Sequence, residues 1–109
     1  MKRFALNVFE FCDELPSKPS CWVVRKQLLR SASSVAANYR AACRAVSKKA
    51  FVAKLAIVEE ADESPFWLEM LEEMDVGHPS KGQKLKSEAD QRVAITGASK
   101  KTSRQQGKQ

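Results

Sequence analysis

The stretch Ser31–Leu71, SASSVAANYRAACRAVSKKAFVAKLAIVEEADESPFWLEML, decides the fold of this chain. Reading from just upstream, Leu28, Ala32, Val35, Tyr39, Cys43 and Val46 recur at steps of four and three. That is the stripe a helix turns toward its neighbours, and no Gly or Pro interrupts it. Ser47 then has the chemistry of an N-cap, because its hydroxyl accepts a hydrogen bond from an amide of the following turn that otherwise has no partner. Beyond it, Phe51, Leu55, Val58, Ala61, Leu68 and Leu71 fall again at helical spacing, with Lys54, Glu59, Asp62, Glu69, Glu72 and Glu73 on most of the remaining surface. Two long helices joined by almost no loop fold back on each other or bend sharply.

Working outward, the spacing predicts a first helix over 2–15, with Phe4, Val8, Phe11 and Leu15 on one face and Ala5, Phe9 and Cys12 widening it. Pro16 stops it, Ser17–Ser20 is a short connector, and Ser20 is placed to cap a second helix over 20–46. The third helix is predicted over 48–75 with Pro65 inside it. Proline removes a backbone donor and crowds the carbonyl four residues back, so a kink is expected around Ala61–Pro65. Val76–Gly82 has the Gly, Pro and Ser content of a connector. A fourth and weaker helix is expected over 83–103 on Leu85, Ala89, Val93 and Ala98, interrupted at Thr96–Gly97. The tail 104–109 reads as disordered. The expected architecture is an all-α, up-and-down four-helix bundle occupying 1–103.

Length and composition agree with one soluble helical domain: 109 residues, 43% hydrophobic, 29% charged, with 4 Gly and 4 Pro. A chain this short buries a modest core, so association with copies of itself would help a thin bundle. Nothing approaches the roughly 20 consecutive apolar residues a membrane span needs. The start, Met1-Lys2-Arg3, leads into an apolar stretch broken by Asn7, Glu10, Asp13 and Glu14, which is not a secretory signal, so cytoplasm is the expected location. The cysteines, Cys12, Cys21 and Cys43, are odd in number and lack CxxC spacing, and the single His78 stands beside Pro79. No disulfide framework, metal site or cofactor is expected; the thiols read as small hydrophobes.

Several segments together carry a family resemblance: Gln27-Leu28-Leu29-Arg30-Ser31-Ala32, Asn38-Tyr39-Arg40-Ala41-Ala42-Cys43-Arg44-Ala45, Ser47, Phe51, Lys54, Glu59-Glu60-Ala61-Asp62-Glu63-Ser64 and Phe66-Trp67-Leu68-Glu69. In order and spacing the chain resembles the four-helix-bundle proteins encoded in intervening sequences of bacterial 23S ribosomal RNA genes. A weaker likeness extends to Ala98–Arg104. The resemblance implies an up-and-down bundle that assembles as a ring-like homopentamer, with no catalysis and a role with nucleic acid. A related accessory protein of diversity-generating retroelements shares that description and works with a reverse transcriptase, a partner the resemblance therefore also implies. Pro65 and Gln91-Arg92 depart from the family pattern.

Charge is the most informative functional feature of the residues themselves. Residues 1–49 carry ten Lys or Arg against three acids, residues 50–79 one against eight, and residues 80–109 eight against two. The third helix is an acidic rod among basic neighbours, and two readings stay open. In one, Arg25, Lys26, Arg30, Arg44, Lys48 and Lys49 form a phosphate-binding band opposite the apolar stripe, with salt-dependent and mostly sequence-independent affinity for RNA or DNA. In the other, the cations are a solvated face and ion-pair partners for the third helix; the alternative function to nucleic-acid binding is an interaction scaffold whose basic helices dock an acidic protein surface. Arg40 is expected to act differently, reaching with Asn38 toward Glu59, Glu60 and Glu63 to fix the register of the antiparallel helices.

Catalysis is not expected. The acidic run lacks the Glu-x-x-His pairs that hold metals in bundles, no His falls within the bundle, and no Cys-His pairing or Gly-rich phosphate loop is present. Trp22 and Phe66-Trp67, at helical spacing beside leucines, read as core or interface more than as base-stacking groups.

Overall fold

The computed structural model describes residues 2–91, and within them all regular structure is helical. Helix α1 (Lys2–Asp13) runs antiparallel to α2 (Pro19–Ala42); α3 (Lys48–Ala61) and α4 (Ser64–Glu73) return along α2; and α5, residues 79–91, is helical to the end of the described residues. α2 packs against α1, α3 and α4, so it is the shared wall of the molecule. Counting α3 and α4 as one interrupted rod, the architecture is the expected all-α four-helix bundle.

The core forms where the four rods overlap. Phe4, Val8, Phe11 and Cys12 of α1 meet Val24, Leu28 and Ala32 of α2, Leu68 and Leu71 of α4, and Leu85 and Ala89 of α5. The three- and four-residue periodicity of α1 is therefore fully used, with Ala5 and Leu15 buried as well; Phe9, at the edge of the stripe, stays partly exposed. Val93 and Ala98, the expected continuation of the α5 stripe, and the tail 104–109 lie outside the described residues.

Local capping chemistry sets the helix ends, and several differ from the sequence reading. α2 begins at Pro19 with Lys18 in the cap position and no side-chain cap bond, so Ser20 lies inside the helix rather than capping it. Proline suits a first turn because its missing N–H is not needed there and its φ is already helical. At the other end α2 stops at Ala42, short of the expected Val46: the amides of Arg44 and Ala45 tighten onto the carbonyls of Ala41 and Ala42 at 3.1 and 3.0 Å. Val46 is consequently 100% exposed and Cys43 is exposed, while Ala42 takes the buried place. The reason is the cap that follows. Ser47 stands in an extended conformation and its Oγ accepts from the Ala50 amide at 3.1 Å, so the chain must leave the helix before it.

The third rod breaks where a kink is expected. Asp62 is extended (φ −78°, ψ 104°), its Oδ1 accepts from the Ser64 amide at 2.9 Å, and Pro65 sits in the first turn of α4. α4 then closes with a Schellman motif: the Val76 amide reaches the Leu71 carbonyl at 3.2 Å and the Asp75 amide reaches Glu72 at 3.0 Å. α5 starts at residue 79 rather than at the expected 83, because Pro79 again fits a first turn and the Gly82 amide already bonds the His78 carbonyl at 2.9 Å.

Candidate nucleic-acid interface

Between Glu14 and Glu59 the chain contains no Asp or Glu, while Lys18, Arg25, Lys26, Arg30, Arg40, Arg44, Lys48, Lys49 and Lys54 fall in the same span. α2 and the corner after it are therefore purely cationic. What the fold decides is which of these cations reach solvent.

Lys26 and Arg30 are exposed on α2, opposite the buried Cys21, Val24, Leu28, Ala32 and Val35. Arg44 is exposed in the corner, and Lys48 and Lys49 are exposed in the first turn of α3. Among the described residues, Lys26, Arg30, Arg44 and Lys49 make no ion pair. Lys48 and Lys49 stand at the positive end of the α3 dipole, and no acid shares that first turn.

Arg25 departs from the expected set. Its Nη2 donates to the Leu15 carbonyl at 3.0 Å and to Pro16 at 3.4 Å, so the guanidinium ties α2 to the connector that follows α1 and is half-buried there. It is a structural residue.

The expected register network also resolves differently. Asn38 donates to Ser34 Oγ at 3.1 Å on its own helix, and Glu63 accepts from Trp67 Nε1 at 3.2 Å. Arg40 is exposed and makes no ion pair among the described residues; with Lys2, Ala36, Ala37, Tyr39 and Cys43 it lines an open cleft between the start of α1 and α2. Glu60 is exposed and Glu59 half-buried. Asn38 and Glu63 are thus each bonded within their own stretch of chain, and Arg40 faces solvent. Arg40 thus joins the outward cations instead of leaving them.

Two lysines of α5, Lys81 and Lys86, behave differently from those of α2. Lys81 meets Glu14 at 2.9 Å and Lys86 meets Glu72 at 3.3 Å. The hydrogen bond to the carboxylate raises each ammonium's pKa above its ordinary value. These pairs tie α5 to α1 and α4, whereas the cations of α2 have no comparable acid beside them.

Two features escaped the sequence reading. Trp22 and Lys18 extend the exposed row one and two turns before Lys26, and Trp22, expected in the core or at an interface, is 54% exposed. Phe66, also 54% exposed, meets Trp67 edge to face with centroids 4.8 Å apart. The four-residue spacing of positions 18, 22, 26 and 30 is the signal that marks the ladder.

No group of three or more His, Cys, Asp or Glu is arranged to hold a metal ion among the described residues, and no helix of theirs is long and apolar enough to cross a membrane. A family model described as 23S rRNA-intervening sequence protein matches residues 1–98. Neither a curated protein nor a solved structure matches the chain.

Proposed function

Because the chain belongs to the family of 23S rRNA-intervening sequence proteins, we propose that it is a non-catalytic bundle whose cationic α2 face binds RNA or DNA through the phosphate backbone. The observation that carries this reading is the acid-free span from Leu15 to Val58, whose Lys26, Arg30, Arg40, Arg44 and Lys49 reach solvent without an ion pair among the described residues. A polyanion laid along this face displaces its own counterions at each contact, which makes affinity steeply dependent on salt.

Assembly into a homo-oligomer belongs to the same proposal, with five subunits the number the family resemblance implies. Ile57 and Phe66, 65% and 54% exposed, support it, since large apolar side chains on a small bundle are suited to contact with another chain. Repetition of the α2 face around such an assembly would multiply phosphate contacts. A protein partner such as a reverse transcriptase fits the same cationic face through an acidic surface.

The test is fluorescence anisotropy of labelled RNA and DNA at increasing salt. Nucleic-acid binding predicts a linear fall of log affinity with log salt, each contacted phosphate adding about 0.7–0.9 to the slope, and a shallower slope in the Lys26→Glu/Arg30→Glu double variant. No binding at low salt would overturn the reading and leave the protein-scaffold alternative. Light scattering tests assembly: a mass near 12.2 kDa would be that of one chain.

A further inference from the structure

The phosphate-binding reading explains the cations of α2 but not the indole placed among them. Lys18, Trp22, Lys26 and Arg30 succeed one another at intervals of four residues, about 6 Å of rise per step. Trp22, Lys26 and Arg30 therefore follow one another along α2, each turned about 40° from the last, and Lys18 stands in the extended cap position just before them. Lys18, Lys26 and Arg30 are exposed, and Trp22 is 54% exposed in their midst. Burying the flat apolar face of a tryptophan is worth a good deal, so an indole left in water one turn from a lysine on either side is a surface waiting for a flat partner.

We infer that α2 is a single-strand platform: a nucleobase stacks on the Trp22 indole while Lys18, Lys26 and Arg30 hold the phosphates on either side of it. The cationic ladder selects the occupant by charge, and the indole selects its form. A duplex keeps its bases stacked on one another and offers α2 only its backbone. A single strand, a loop or a frayed end can turn a base outward onto an aromatic ring, and every base has a π-face, so the contact is tolerant of sequence. This inference rests on the phosphate-binding reading above and specifies the form of nucleic acid that reading leaves open.

The experiment follows Trp22 directly. Wild-type protein and the Trp22→Ala and Trp22→Phe variants are titrated at low salt with a poly(U) oligonucleotide and with a duplex of equal length, reading indole fluorescence and anisotropy. Circular dichroism establishes that each variant keeps its helical signal. The expected result is quenching by the single strand in the wild type that is lost in Trp22→Ala, whose residual emission comes from Trp67. Single-strand affinity is expected to fall about tenfold in Trp22→Ala and to stay close to wild type in Trp22→Phe, with duplex affinity the same in all three. If Trp22→Ala binds the single strand as tightly as wild type, the platform is overturned while the cationic surface stands. If neither probe binds the wild type, the platform and the phosphate-binding reading fall together.

Discussion

Arg25 of α2 donates from Nη2 to the carbonyl of Leu15 at 3.0 Å, so a cation that charge counting assigns to a phosphate surface instead serves the turn that ends α1. Leu15 and Pro16 lie just beyond α1, where no helical ladder supplies a donor to the Leu15 carbonyl, and the guanidinium supplies one.

Removing that group should therefore separate stability from binding. Arg25→Met is expected to lose about 1–2 kcal/mol in urea denaturation, since charge-assisted bonds to backbone are worth somewhat more than neutral ones. Its RNA affinity should stay near wild type, while Lys26→Glu should show the reverse pattern. A stable Arg25→Met with weakened RNA binding would move Arg25 back to the surface.

Asp75 occupies the left-handed position that closes the Schellman motif of α4, at φ 55°. Glycine adopts that conformation without strain, and a carboxylate at the negative end of a helix is unfavourable. Asp75→Gly is expected to raise stability by about 0.5–1 kcal/mol, read as a higher urea midpoint with an unchanged m-value.

Two residues on, the opposite substitution should be costly. Gly77 has φ +84°, and a Cβ placed there would lie 2.6 Å from Phe11 Cζ and 3.2 Å from Leu15 Cδ2. Gly77→Ala thus combines backbone strain with a clash against the core edge, and a loss of about 1–3 kcal/mol is expected in thermal or urea unfolding.

Burial pushes the Cys12 thiol up from 9.0 to about 12, a shift that Arg25 lessens and Asp13 increases. In the unfolded chain this thiol ionises near its ordinary value, whereas in the native protein it keeps its proton to higher pH. The unfolded state therefore binds fewer protons between those limits, and stability falls as pH rises through them, by at most about 1.4 kcal/mol per pH unit from this group. Below pH 9 the contribution is fully present and constant. Urea midpoints of wild type and Cys12→Ala measured across this window should converge as pH increases; parallel curves would count against it. Exposed Cys43 should react with a thiol reagent in the native protein, and buried Cys12 and Cys21 only on unfolding.

The helices were legible because their signals are local. The stripe Phe4, Val8, Phe11 and Leu15, the Ser47 cap and the interruption at Pro65 each depend on residues within a turn or two of one another. The placement of Arg40 was not legible in the same way. Its angle on α2 suits either an acid on the returning rod or solvent, and which of them it meets depends on how the two rods pack.

The sequence by itself determined a helical bundle with a long cationic second rod, because periodicity, capping and the absence of acids from Leu15 to Val58 are properties of the linear chain. Only the tertiary structure decided that Arg25 is taken by the connector after α1 and that Trp22 stands in solvent among lysines. The physical reason is coverage: helical spacing gives each side chain its direction, but whether it meets a carbonyl, a core or water depends on where the neighbouring rod begins and ends.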